Sequence, residues 1–436
     1  MARKTTGKKL RSSRVVWTHL ESMVRVNVRG FIQGLLEEEV EDFLGRARYV
    51  RKSAGDPEPG YRNGHGRPRK LTLSCGTVEV RRPRVRDMDE RFESAILPFL
   101  VRRTREVDAL IPELYLHGLA AGDMDLALRG LLGNDAPISA TTVARLKERW
   151  RLEYDQWSSR SLAGLEVVAL WVDGVYVKAG LEKDKAAILV AMAGLSDGRK
   201  VIVGMVSGYR ESTDSWRELL CDLKERGMNA PKVVIGDGHL GIWGALRGVY
   251  PESAWQRCRR SGSSEGSACS NERGWNHKIR NVLDKLPKRS WDEAKKMLSA
   301  MSRADTEAAA LELRAEFQGW CRERGHGDAA DLIEKDWETL VAFYRFPKDH
   351  WRHLRTSNPI ESPFDRVRLR TNAARRFKKV ANATAVVWKT LMVAERRFRK
   401  LTAPELWAEV FKGATFRDGV REETPQGEGS KEAPAA

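Results

Sequence analysis

Apolar residues bunch in two ways along this chain. In some stretches they run almost unbroken for five or more residues, as in buried strands. In others they return every three or four residues, as on one face of a helix. The unbroken runs concentrate between residues 165 and 258. Leu165–Lys178 is a β-favouring run that delivers one carboxylate, Asp173, at its end, with Gly174 behind it. Ala186–Gly194 and Lys200–Val206 follow, joined through Asp197-Gly198, a hairpin-turn dipeptide. Three neighbouring strands with short turns predict an antiparallel meander. Thr213–Arg226 then has helical spacing with Thr213 placed to cap it, Lys232–Asp237 is a fourth strand, Leu240–Val249 a short helix and Ala254–Cys258 a fifth strand.

The flanks are mostly helical. Residues 1 to about 14 hold six Lys/Arg and no acid, and read as a flexible basic arm. Val24–Ala47 has helical spacing, Lys52–Arg69 reads as a Gly-, Pro- and Arg-rich loop, and Leu71–Val80 alternates about a Cys-Gly turn as a hairpin does. Asp108–Leu119 and Asp123–Leu132 predict two helices. After the break at Gly133–Pro137, Ser139 is placed to cap a third helix, Thr141–Trp157, which carries Arg145, Lys147, Arg149 and Arg151. That succession has the form of a helix-turn-helix module, and equally of an ordinary three-helix unit. Four more amphipathic stretches lie between His277 and Trp337. A basic helical segment over 364–398 carries Arg366, Arg368, Arg370, Arg375, Arg376, Lys378 and Lys379.

The expected fold is therefore α/β: a ribonuclease-H-like core with a mixed five-stranded sheet, interrupted by an all-α insertion and preceded by a helical, helix-turn-helix DNA-binding region. The boundaries run as follows: 1–106, arm, helical unit and hairpin; 107–160, the helix-turn-helix-like region; 161–258, the first part of the core; 259–274, a flexible insertion; 275–355, the all-α insertion; 356–412, the last part of the core with its basic helices; 413–436, a disordered tail.

Charge narrows the class. The 436 residues carry a formal net charge of +17, which favours a polyanionic partner, above all nucleic acid. No apolar run reaches the length of a membrane span and the N-terminus has no secretion-signal core. Five cysteines without a C-x-x-C pair fit a reducing compartment, so a cytoplasmic, nucleoid-associated protein is expected.

Three acids stand out. Asp173 and Asp237 each end an apolar strand beside a glycine, and Glu361 stands in Asn358-Pro-Ile-Glu-Ser-Pro363. Carboxylates converging from separate elements suit magnesium or manganese, hard cations that take oxygen ligands. Two such ions about 4 Å apart can serve phosphoryl transfer. Each acid also has a plainer reading. Asp-Gly is a common turn pair. Glu361 completes a capping box from Asn358, or lies just ahead of a helix that starts at Pro363 under a Ser362 cap. Gly236-Asp-Gly-His-Leu-Gly241 matches a dinucleotide fingerprint, but Asp237 inside it would repel a pyrophosphate and the next strand ends without an acid for a ribose.

Asp173-Gly-Val-Tyr-Val-Lys178, Val234-Ile-Gly-Asp-Gly-His-Leu-Gly241, Trp255-Gln-Arg-Cys258, His277-Lys-Ile-Arg-Asn-Val282 and Asn358-Pro-Ile-Glu-Ser-Pro-Phe364 together resemble the Mutator-type transposases of bacterial insertion sequences. Tyr61-Arg-Asn-Gly64 and Pro83-Arg-Val-Arg86 resemble that family's N-terminal region, so the likeness runs from about residue 30 to about 410. The resemblance implies a DDE transposase that needs Mg2+ (or Mn2+), with Asp173, Asp237 and Glu361 as catalytic, metal-holding triad. It also implies active-site or DNA-positioning roles for Cys258 and His277. The expected partners are double-stranded DNA, both terminal inverted repeats and target, and further copies of the chain. Phosphate contacts are expected from Arg145, Lys147 and Arg149 and from the 366–379 cations.

The chain departs from the family where sixteen residues, Arg259–Gly274, separate Cys258 from Trp275; they are Ser- and Gly-rich and read as a loop. Cys258, Cys269 and His277 lack a fourth ligand at zinc spacing. A nuclease that cuts without joining, and a DNA-binding remnant disabled by this loop, are the rival readings.

Overall fold

The computed structural model describes residues 9–51, 60–98, 101–120, 122–132, 140–180, 185–208, 211–237, 240–258, 273–335 and 337–422. Side chains are described for these except at 9–18, 140, 237, 240, 255–258, 273–274 and 276–277. The chain divides into two compact units, 1–146 and 147–436.

The first unit begins with α1 (Lys9–Leu44), which extends well beyond the helix expected from Val24 and takes in residues assigned to the basic arm. Four short strands follow: β1 (Tyr61–His65), β2 (Arg69–Leu73), β3 (Gly76–Val80) and β4 (Pro83–Arg86). The expected hairpin is β2–β3, with Leu73 opposite Gly76. β1 was expected to be loop. Its pairing partner is the basic run of β4, and the pairing slips between Arg62 and His65 around Gly64, whose φ is +61°. Glu37 on α1 holds this arrangement, taking an ion pair from Arg62 (2.7 Å) and a hydrogen bond from His65 Nε2 (2.6 Å). Leu36, Leu71, Val78, Val80 and Leu97 form the small core between them. α2 (Arg105–Leu116), α3 (Met124–Leu132) and the first turns of α4 (Ala140–Ser158) complete the unit. The cap expected at Ser139 lies outside the described residues.

The second unit is mixed α/β. Its sheet comprises β5 (Val167–Val177), β6 (Ala186–Leu195), β7 (Lys200–Gly208), β8 (Val233–Asp237) and β9 (Ala254–Cys258), in the order β7-β6-β5-β8-β9. The first three strands form the antiparallel meander, whereas β5, β8 and β9 are parallel. α5 (Thr213–Glu225) and α6 (Leu240–Val249) make the crossovers. Their Trp216, Leu219, Leu220, Leu223, Ile242 and Leu246 join Leu170, Val172, Leu189 and Val234 in one core. The cap of α5 is Ser212 rather than Thr213: its Oγ accepts the Ser215 N–H at 3.1 Å.

The helical stretch contains α7 (Arg273–Leu283), α8 (Trp291–Ser302), α9 (Glu307–Glu323), α10 (Gly327–Lys335), α11 (Trp337–Leu340) and α12 (Trp351–Leu354). α13 (Asn358–Ala373), α14 (Val380–Glu395) and α15 (Pro404–Phe411) return to the sheet, α13 and α15 against β5 and α14 against β7. Two cross-links fix this second layer: the Trp171 indole donates to His353 O (3.3 Å), and Ile202 N donates to the Glu395 carboxylate (2.6 Å). Cover on both faces explains why β5 and β6 read as solid apolar runs. Residues 413–422, expected to be tail, form a small hairpin of β10 (Phe416–Arg417) and β11 (Val420–Arg421). Among the described residues no helix is long and apolar enough to cross a membrane.

Candidate active site

The parallel ladder between β5 and β8 ends with Val172 opposite Gly236. Asp173 and Asp237 are the next residue on each strand, so the register carries the two aspartates side by side to the point where the pairing stops. Asp173 was expected at the end of its strand. Instead β5 runs on to Val177, paired from Asp173 onward with β6 alone. The acid therefore stands in a notch, where one side of β5 has lost its neighbour. Leu170 and Val172 face the α5–α6 core, so alternation turns Asp173 to the opposite face. It is 7% exposed, and its Oδ1 accepts the Gly174 N–H at 2.7 Å. The side chain of Asp237 lies outside the described residues.

Glu361 comes to the same strand from the other layer, on the first turns of α13, which packs against β5. It is 8% exposed and accepts a hydrogen bond from the hydroxyl of fully buried Ser357. Neither expected cap is found. Ser357 occupies the N-cap position, Asn358 and Pro359 begin the helix, and Pro363 lies within it. The Ser357 carbonyl accepts the Ile360 and Glu361 N–H groups at 3.0 and 3.1 Å. The serine thus both starts the helix and orients the acid.

A further acid, which the sequence reading missed, lies at the same end of the sheet, on the face that Gly174 shares with Val172. Glu211 immediately precedes the α5 cap, and its carboxyl rests on Gly174: a methyl group there would lie 2.2 Å from its Oε1. The backbone of 211–213 is itself wedged against Gly241 on α6, where a Cβ would meet it at 2.8–2.9 Å. The Tyr176 phenol is pushed up to about 12, first by burial, then by the charge of Glu211, to which it hydrogen-bonds, and of Asp173. Strand direction was the available signal. Two antiparallel steps make β7 run parallel to β5, so the connection from β7 to α5 emerges at the carboxyl end that also holds Asp173 and Asp237.

Cys258 is the backbone partner of Asp237 in the β8–β9 ladder, and α7, which bears His277, packs on β9. The side chains of both lie outside the described residues, as do residues 259–272. Lys278, one residue on, is 1% exposed and donates to Leu332 O at 2.5 Å, tying α7 to α10.

The expected DNA-contacting cations fare unevenly. Arg145 is exposed on α4. Lys147 lies over the Phe377 ring (6.0 Å), and Arg149 pairs with Glu153 (3.5 Å). Arg366, Arg375, Lys378 and Lys379 are exposed, and Arg368 pairs with Asp365 (3.0 Å). Arg376 is exposed but donates to Gly180 O at 2.8 Å. Arg370 corrects the expectation: it is 1% exposed, on the inner face of α13, and is no part of the exposed row.

The donors fit a hard divalent cation. Asp173 and Glu361 are buried carboxylates on two elements that pack together, and Asp237 stands beside Asp173 by register; carboxylate oxygens are the donors such a cation takes. Among the described side chains, which exclude that of Asp237, no three His, Cys, Asp or Glu groups gather as a metal-holding set.

The fold is thus a mixed α/β one, with Asp173 and Asp237 at the point where the parallel β5–β8 pairing stops. The family model described as "Transposase, Mutator family" matches residues 2–400. The chain is a member of the Mutator family of transposases. It is 39% identical over 317 residues to the transposase for insertion sequence element IS6120 of Mycolicibacterium smegmatis, covering 72% of this chain and 93% of that one. It is 35% identical over 300 residues to the transposase for element IST2 of Acidithiobacillus ferrooxidans (68% and 95% covered). With the transposase for element ISRM5 of Rhizobium meliloti it shares 28% over 369 residues (84% and 85%).

Proposed function

We propose that this transposase is of the DDE type: it cleaves DNA at the ends of an insertion sequence and joins the freed ends to target DNA. The observation that carries this reading is the β5–β8 register, which sets Asp173 beside Asp237 under the helix of Glu361. The strand order 3-2-1-4-5, antiparallel then parallel, supports a ribonuclease-H-like core. Asp173, Asp237 and Glu361 would hold Mg2+ or Mn2+. When bound, such ions promote the attacking oxygen and stabilise the leaving one.

The protein's own groups hold and orient. The Gly174 N–H and the Ser357 hydroxyl fix the rotamers of Asp173 and Glu361 before DNA arrives, which spares reorganisation during the reaction. In the first step a water oxygen displaces the 3′ oxygen at the element's end, leaving a 3′-hydroxyl. In the second that hydroxyl oxygen bonds to a target phosphorus while the bond from that phosphorus to the target strand's own 3′ oxygen breaks, and the target 3′ end leaves as a hydroxyl. Neither step needs a protein nucleophile. The exposed cations at 366, 375, 378 and 379 would contact phosphates, and α2–α4 would read the terminal inverted repeats, with further copies of the chain bringing two ends together.

The test is a strand-transfer assay with Mg2+ on an element-end duplex. Joined products support the reading. Cleavage without joining gives the nuclease, and a retarded complex with no cleavage gives the DNA-binding remnant.

A further inference from the structure

A cavity of about 750 Å3 opens beside the start of α13. Asn358, Pro359, Ser362 and Pro363 line one wall, so the turn that carries Glu361 also bounds the cavity. Six of its fifteen lining residues are basic: Lys200, Arg303, Arg352, Arg355, Arg397 and Arg399. None is acidic, although the chain holds 60 Asp and Glu among 436 residues and that average would put about two on such a wall. Four separate segments supply these cations: the start of β7, the end of α8, α12 with the residue after it, and the stretch after α14. No helical repeat brings them together; the fold does.

Converging like charges oppose folding unless an anion offsets them. His353, on the same wall, is held down to about 4, first by burial and then by charges that include Arg352 and Lys200. The cations are also placed. The Arg355 guanidinium lies 4.4 Å from the Phe343 ring centroid and 4.9 Å from that of Trp351, and Lys200 Nζ lies 5.5 Å from that of Phe398. Among the described residues no carboxylate pairs with Arg352, Arg397 or Arg399.

We propose that this cavity binds the phosphate backbone of the DNA on which the site acts, at phosphates away from the one presented to Glu361. The inference rests on the reading that the chain acts on DNA. It assigns a phosphate-binding site apart from the basic row at 366–379.

The test measures binding of the full chain to a labelled duplex across a salt series, in EDTA so that chemistry plays no part. Each phosphate contact contributes about 0.9 to the slope of log affinity against log salt. The variant R352A/R397A/R399A is expected to bind at least about tenfold more weakly, with a slope smaller by roughly 2 to 3. R352K/R397K/R399K should keep the wild-type slope. R217A/R289A/R322A, which removes the same charge elsewhere in the unit, should lose much less. All three cavity positions are exposed, and equal melting temperatures check the fold; the single reversal R399E gives a second route to the same loss. A wild-type slope in the cavity variants, or equal losses in the two alanine triples, would overturn the cavity while leaving the transposase reading intact. Failure of the wild-type chain to bind duplex would overturn both.

Discussion

The Glu211 carboxyl occupies the space that a side chain at Gly174 would need, 2.2 Å from where its Cβ would stand. A glycine one residue after Asp173 is therefore a packing requirement set by another acid as well as a turn signal. Gly174→Ala must push Glu211 aside and strain its bond to Tyr176. Overpacking of this kind costs about 1–3 kcal/mol. In a Glu211→Ala background the obstacle is gone, and the cost should fall by at least about 0.5 kcal/mol. Urea midpoints of the four proteins of this cycle measure it; additivity would show that the two residues do not meet.

Asp173→Asn should abolish strand transfer without altering duplex affinity in EDTA. The side chain is nearly isosteric and its oxygen can still accept the Gly174 N–H. Gel assays of transfer and binding on the same preparation separate the two effects. Wild-type transfer would remove Asp173 from the chemistry.

Ser357→Ala removes one donor, itself fully buried, to the Glu361 carboxylate. Leaving a buried acceptor short of a partner costs about 1–3 kcal/mol. Transfer should fall with duplex affinity unchanged, and Ser357→Thr should recover part of it if the extra methyl fits. Unaltered stability and transfer in the alanine variant would show that Glu361 is oriented by other groups.

His350 predicts an acid sensitivity. It is fully buried, stacked 4.0 Å from the Trp407 ring, and its Nε2 donates to Ala403 O at 3.2 Å. Burial pushes it down to about 4. Below its unfolded value of 6.5 the unfolded chain binds the proton and the folded chain does not, so its contribution is whole above pH 6.5 and is lost as pH falls toward 4. The full loss is roughly 3 kcal/mol. His350→Gln should flatten the dependence of the urea midpoint on pH between 7 and 4; an unchanged slope would place the sensitivity elsewhere.

Much of this was legible in the chain because the sheet is covered on both faces. β5, β6 and β8 had to be solid apolar runs, and an acid breaking such a run, as Asp173 and Asp237 do, stands out. What was not legible depended on partners distant in sequence. Tyr61–His65 has no strand alternation of its own and is a strand only because Pro83–Arg86 lies beside it. The α13 cap was hidden because Ser357 and Asn358 are both good cap residues and two prolines offered competing starts. Arg370 looks like its basic neighbours until the helix face that packs on β5 is known. Glu211 needed the direction of β7, and the basic cavity needed four segments folded together.

The central claim, that Asp173, Asp237 and Glu361 form one cation site, is tested most directly by Mn2+ binding to the full chain, followed by calorimetry and electron paramagnetic resonance. Asp173→Asn, Asp237→Asn and Glu361→Gln should each weaken the same bound-ion signal by about tenfold or more. A variant among the three that binds Mn2+ with wild-type affinity and spectrum would contradict the claim.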